Sequence, residues 1–150
     1  MIKYDEIKNI IKIIEECSAV ALTFYKKKHL EISIKDDNSP VTKADLEISR
    51  IATNKLSEMF PNDKIISEEN ITNLNEVDMT KYWLIDPIDG TKEFINKSGF
   101  FTINFALISN NKPVFGIICQ PTTSSIWFNN NNTAYKINKT YNILDAEELK

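Results

Sequence analysis

Trp83-Leu84-Ile85-Asp86-Pro87-Ile88-Asp89-Gly90-Thr91 joins three signals within nine residues. Tyr82-Trp83-Leu84-Ile85 is a short β-prone run, which predicts a buried strand. It runs directly into two carboxylates separated by proline, and then into a glycine and a threonine that open a short helical stretch, Lys92-Glu93-Phe94-Ile95. Pro87 restricts φ and Gly90 permits a left-handed turn or close approach of a ligand, so a proline turn is expected to converge Asp86 and Asp89 on one point. Two aspartates and a turn carbonyl, such as that of Ile88, suit a hard cation of the Mg²⁺ type, which takes oxygen ligands and keeps some of its waters.

Working outward, Lys64-Ile65-Ile66-Ser67 is a second short strand and also ends on a carboxylate, Glu68. Side-by-side pairing of the two strands brings Glu68 to the edge that carries Asp86 and Asp89. Clustered acids raise one another's pKa unless a cation neutralises them. Backbone N–H groups at the start of the Gly90-Thr91 helix attract anions, which suits a phosphate beside the cation. Thr91 and Asp45 are the candidates for orienting and deprotonating a water that attacks it.

The flanking elements set the fold class. From Tyr4 to about Lys28, apolar residues recur at Ile7, Ile10, Ile11, Ile14, Cys17, Ala21, Leu22 and Tyr25, the spacing of a long amphipathic helix. Ile32 to Pro40 is rich in turn formers and reads as an exposed loop or short hairpin. A second helix begins at Thr42 or Lys43, capped by Thr42, carries the stripe Leu46, Ile48, Ile51, Ala52, Leu56 and Phe60, and stops at Pro61. A polar stretch from Asn70 to Thr80 separates the two short strands. Phe101 to Ser109, Val114 to Cys119, Ser125 to Phe128 and Ala134 to Ile137 read as further strands, with a turn at Asn110-Asn111-Lys112. Asn129 to Asn132 reads as a loop. The tail from Asp145 to Lys150 is expected to fray. The expectation is an α+β fold with two long helices on a mainly antiparallel sheet, in a single domain spanning residues 1–150.

Composition narrows the function classes. With 18 basic and 21 acidic side chains among 150 residues, the chain has no basic field to hold a polymeric nucleic acid. Charges interrupt the N-terminus where a secretory signal needs an apolar run, and no stretch is apolar enough to span a bilayer, so a soluble, cytoplasmic protein is expected. Cys17 and Cys119 fall on apolar faces and read as reduced core residues. His29 reads as a surface charge. Lys35 and Lys92 are candidate phosphate contacts, set against the ordinary solvated state of lysine.

Asp86-Pro87-Ile88-Asp89-Gly90-Thr91, with Trp83-Leu84-Ile85 before it and Ser67-Glu68-Glu69 upstream, resembles the inositol monophosphatase superfamily of Mg²⁺-dependent, lithium-sensitive phosphatases. Lys92-Glu93-Phe94-Ile95 and Asp37-Asn38-Ser39-Pro40-Val41-Thr42-Lys43-Ala44-Asp45 resemble its CysQ-like branch, whose substrates are 3'(2'),5'-bisphosphate nucleotides such as adenosine 3',5'-bisphosphate. The resemblance implies that Glu68, Asp86, the Ile88 carbonyl and Asp89 ligate Mg²⁺, two or more ions per site. It implies that Gly90 and Thr91 hold the substrate phosphate, and that Asp45, Thr91 and Glu68 carry the catalysis. It also implies that the chain is the first half of an αβαβα sandwich, two helices on about six strands. The C-terminal substrate half is then absent. In the family that half supplies a Trp-Asp motif with a further ligand aspartate, and here neither Trp83 nor Trp127 is followed by Asp. An uncovered apolar face would then predict self-association or a separate C-terminal half, and weak activity alone. An inositol or sugar phosphatase and a non-catalytic remnant are the competing readings.

Overall fold

The computed structural model describes residues 2–35, 40–70 and 80–149. Asp37, Asn38 and Ser39 of the Asp37–Asp45 motif and most of the Asn70 to Thr80 stretch lie outside the described residues. Helix α1 is Tyr4–Tyr25 and helix α2 is Lys43–Met59. Strands β1 (Ile32–Ile34) and β2 (Pro40–Thr42) form an antiparallel pair ahead of α2. The main sheet contains β3 (Lys64–Ser67), β4 (Lys81–Asp89), β5 (Thr102–Ser109), β6 (Lys112–Gln120), β7 (Ser125–Asn130), β8 (Thr133–Ile137) and β9 (Glu147–Leu149) in that spatial order. Only β3–β4 is parallel, so the sheet is mixed with antiparallel pairing predominant. A short helix α3, Thr91–Ile95, follows β4.

Both long helices lie on one face of the sheet. The α1 stripe buries Ile7, Ile10, Ile11, Ile14, Cys17 and Ala21, while α2 buries Ile48, Ile51, Ala52 and Leu56. Against them the strands present Trp83 and Ile85 of β4, Ile103, Phe105 and Leu107 of β5, and Phe115, Ile117 and Cys119 of β6. These residues follow the alternation of a half-covered sheet. Cys17 and Cys119 are buried free thiols, and His29 is exposed. No described helix is long and apolar enough to cross a membrane.

Four expectations about the elements need correcting, one of them the loop at Asn129 to Asn132, whose Asn129 and Asn130 end strand β7. The first helix ends at Tyr25 rather than near Lys28, because Lys26-Lys27-Lys28-His29 offers no side chain to the core. Leu46 leaves the predicted stripe and is 51% exposed; its place on the inward face is taken by Asp45, which is 1% exposed. The tail does not simply fray, since β9 pairs antiparallel with Ala134 to Lys136 of β8 and makes a seventh strand.

The opposite face of the sheet has no helix on it among the described residues. It holds an open apolar groove of about 640 Å³, floored by Leu84, Ala106, Gly116, Ile118, Trp127 and Leu149 and ending at Glu68, Asp86 and Asn104. Leu84 is 40% and Ile118 45% exposed, so this is an apolar surface in water.

Candidate metal centre

The Asp86-Pro87-Ile88-Asp89 segment is not the turn that proline suggests. Strand β4 continues through it to Asp89. Pairing with β5 steps from Asp86↔Asn104 to Asp89↔Thr102, three residues on one strand against two on the other. The extra residue is a β-bulge, and it changes which way Asp89 points. In a regular strand, residues three apart face opposite sides; here both aspartates lie across from residues of the same β5 face, so they share the open side of the sheet. Pro87 removes no bond from the neighbouring ladder, because the β3 pairing already stops at Ile85.

Gly90 follows at φ +89° and starts α3. A β-carbon there would stand 3.1 Å from the Phe100 carbonyl oxygen and 3.3 Å from a Glu93 carboxylate oxygen. Gly90→Ala is therefore expected to cost about 1–2 kcal/mol from the left-handed backbone alone, more where the Phe100 carbonyl has to move. Chemical denaturation measures it, and an unchanged midpoint would show that the turn can reach another conformation.

Thr91 sits next to Asp45. Its hydroxyl lies 3.1 Å from the Ile88 carbonyl oxygen and 3.4 Å from Asp45 Oδ1, so its single proton has two acceptors to choose from. Asp45 is the N3 residue of α2. Its Oδ2 accepts the Thr42 backbone N–H at 2.8 Å and the Thr42 hydroxyl at 2.5 Å, completing the capping box that starts the helix. Burial raises the Asp45 pKa, and the bonds from Thr42 work against that rise.

Asp86 is the most perturbed acid of the group. Burial, then the charges of Glu68 and Asp89, a hydrogen bond to Glu68 and the charge of Asp45, push its carboxyl up to about 7. Its Oδ1 is buried without a hydrogen-bond partner among the described residues. Asp89 receives Asn104 Nδ2 on its Oδ2 at 3.1 Å. Glu68, at the start of the 3-10 turn Glu68–Asn70 that ends β3, is bound instead by the Lys35 ammonium at 2.9 Å, which also bridges to Glu69 at 2.7 Å. Burial opposes the Lys35 charge, but its bonds to Glu69 and Glu68 outweigh this and raise its pKa.

Glu68, Asp86, Asp89 and Asp45 are thus electrostatic neighbours, yet among the described residues no three acids close into a coordination shell. Lys35 supplies positive charge to Glu68 in its place. An all-oxygen donor set with one buried, unpartnered carboxylate oxygen fits a hard cation better than a thiophilic one. Sequence reading offered Lys35 as a phosphate contact rather than a partner of Glu68, and missed Asn104. The pairing of Lys35 with Glu68 spans 33 residues and has no local signature. Asn104 looks like an ordinary outward polar residue until the β4–β5 register puts it opposite Asp86.

Comparison with known proteins agrees with this architecture. The model of the inositol monophosphatase family matches residues 3–149. The chain is 37% identical over 126 residues to the 3'(2'),5'-bisphosphate nucleotidase CysQ of Haemophilus influenzae, covering 83% of this chain and 47% of that protein. It is 33% identical to the CysQ of Escherichia coli, over 85% and 54% of the two chains. The crystal structure of CysQ from Bacteroides thetaiotaomicron superposes with a TM-score of 0.77 at 27% identity, over 95% of this chain and 58% of that one. The Thermotoga maritima IMPase shares the fold with a TM-score of 0.78 at 23% identity, over 88% and 51%. The chain spans about half the length of the curated relatives it matches.

Proposed function

The chain belongs to the inositol monophosphatase family, and on that premise we propose that it provides the cation-binding half of a Mg²⁺-dependent phosphatase removing the 3'-phosphate of 3'(2'),5'-bisphosphate nucleotides such as adenosine 3',5'-bisphosphate. The observation that carries this reading is the bulge in β4. It turns Asp86 and Asp89 to one face, beside Glu68 and a short step from the Thr91–Asp45 pair. Similarity to the bisphosphate nucleotidases named CysQ supports the nucleotide class of substrate.

In this reading Glu68, Asp86, the Ile88 carbonyl and Asp89 hold the Mg²⁺, two or more ions per site. Bound there, Mg²⁺ supplies Lewis acidity toward phosphate and lowers the pKa of a coordinated water. Glu68, paired with Lys35 in the metal-free chain, would be the remaining carboxylate available to hold it. Gly90 and Thr91, at the turn after the bulge, seat the substrate phosphate. The Thr91 hydroxyl would donate its hydrogen bond to Asp45 Oδ1 while its oxygen accepts one from the attacking water, and the proton that water loses would pass through Thr91 to Asp45. The bonds that Thr42 makes to the other oxygen of Asp45 hold this relay in place.

The open groove belongs to the same proposal. An apolar surface of this kind is normally covered. Further polypeptide, equivalent to the half of the relatives that this chain does not match, is its occupant here, forming the substrate wall and completing the ligand set.

Phosphate release from adenosine 3',5'-bisphosphate and from inositol 1-phosphate, with Mg²⁺ and with or without Li⁺, tests the reading. The assay is run on this chain alone and after mixing with a polypeptide equivalent to the unmatched half of the H. influenzae protein. Weak release alone, enhanced by the second polypeptide, inhibited by Li⁺ and favouring the nucleotide, is expected. Preference for inositol phosphate would transfer the substrate assignment, and cation binding with no turnover in any mixture would make the chain a non-catalytic module.

A further inference from the structure

Asn104 makes one polar contact and lacks another. Its Nδ2 donates to Asp89 Oδ2 at 3.1 Å. A carboxylate accepts only from a donor, so this contact fixes the amide orientation and leaves Oδ1 as the free end. That Oδ1 is buried with no hydrogen-bond partner, and so is Oδ1 of Asp86, the residue directly across the β4–β5 ladder. Two side-chain oxygens on facing residues, both cut off from solvent and both without a hydrogen-bond partner among the described residues, are a costly arrangement in a native structure. No protein donor serves either oxygen in the described residues. One positively charged or strongly donating group between them resolves both.

Resting on the cation reading above, we infer that Asn104 is a positioning residue of the metal centre. Its amide N–H holds the Asp89 carboxylate in one rotation and leaves the other oxygen of Asp89 free for the cation. Its carbonyl oxygen would be free to accept a hydrogen bond from a donor brought to the site, and Asp86 Oδ1 would be free to help hold the cation. Outer-shell groups of this kind orient the ligands and are worth about 10- to 100-fold in metal affinity. The strand supplies the rigidity. Asn104 lies between Ile103 and Phe105, both buried in the core, so its backbone cannot rotate the side chain away.

Mn²⁺ titration followed by electron paramagnetic resonance, with thermal unfolding in metal-free buffer, tests the assignment on the whole chain. Asn104→Leu, close in size and without polar atoms, is expected to weaken Mn²⁺ binding by about 10- to 100-fold while leaving the metal-free melting temperature unchanged or raised, since it removes a buried unpaired acceptor. Ile118→Ala, its cross-strand neighbour on the same face, controls for packing and is expected to leave Mn²⁺ affinity within about twofold, well short of the outer-shell effect. Asn104→Ser, which shortens the reach and keeps a hydroxyl, replaces the leucine variant where that variant fails to fold, with the same loss expected. Unaltered Mn²⁺ affinity in the Asn104 variants, or a loss no greater than that of Ile118→Ala, overturns the role of Asn104. It leaves the cation reading intact provided Asp86→Asn still weakens binding. Absence of Mn²⁺ binding by the unaltered chain overturns both.

Discussion

Asp86→Asn is expected to weaken divalent-cation binding by at least about 100-fold, the upper end of what outer-shell changes alone produce, and to abolish cation-dependent phosphate release. The substitution keeps the size of the side chain and removes the charge that the cation site needs. It also changes how the metal-free protein responds to pH. The Asp86 carboxyl titrates near 7 in the folded chain against an ordinary 3.8, chiefly through burial and then the charges of Glu68 and Asp89. Between these values the folded form holds a proton that the unfolded form has lost, so stability falls as pH rises from about 4 to about 7 and levels off above that. In buffer with a chelator the melting temperature of the unaltered chain is therefore expected to decline across this window. Asp86→Asn loses most of the decline and is the more stable protein above pH 7. A residual slope comes from Asp45 and Glu69, both raised mainly by burial. Saturating Mg²⁺ at pH 8 restores the melting temperature of the unaltered chain and leaves the variant unmoved. Parallel pH curves for the two proteins would mean that the Asp86 environment is not the one described.

Most of the elements and the core were legible because they rest on periodicity. The α1 stripe and the alternation of Ile103, Phe105 and Leu107 follow from one-sided burial, and the structure buries those side chains as read. The centre of the site was less legible. Pro87 between two acids argues for a turn on local grounds, yet a bulge where the β3 ladder has already ended tolerates proline equally well. Nothing in the nine residues distinguishes the two; the register with β5 does. The same bulge that hid the geometry puts both aspartates on one side of the sheet, although the described acids do not close on one point. The edge strand β9 escaped notice for a different reason. Glu147-Glu148-Leu149 has no buried face, and all three residues are exposed. Its pairing with β8 is a backbone matter, and charged side chains on an outer strand are how sheets discourage further pairing. Lys35 was weighed as a phosphate contact from its neighbourhood, whereas the structure turns it to Glu68 and Glu69. An ion pair between distant segments is a product of the fold and precedes no local pattern.

Trp83→Ala is expected to be the most destabilising single change in the chain. Trp83 is fully buried at the centre of β4, paired in register with Ile65 of β3 and Leu107 of β5. Its ring lies between Phe60, 5.0 Å away and tilted, and Phe115, 5.9 Å away and edge-on. Truncation leaves a cavity that sheet and helices cannot both collapse into, at a cost of about 3–5 kcal/mol. That is a large part of the roughly 5–15 kcal/mol that stabilises a native protein, and it lowers the melting temperature by on the order of 10 °C. Trp83→Phe separates two contributions. The indole Nε1 is buried with no hydrogen-bond partner among the described residues, so phenylalanine loses packing volume but relieves an unpaired donor that costs about 1–3 kcal/mol. Its net loss is expected to be less than half that of the alanine variant, with Mn²⁺ affinity retained, because β4 keeps its register and its bulge. Were Trp83→Phe as damaging as Trp83→Ala, the indole N–H would have to be satisfied in solution. Trp83 would then act as a polar anchor of β4 three residues ahead of Asp86 as well as its central packing residue.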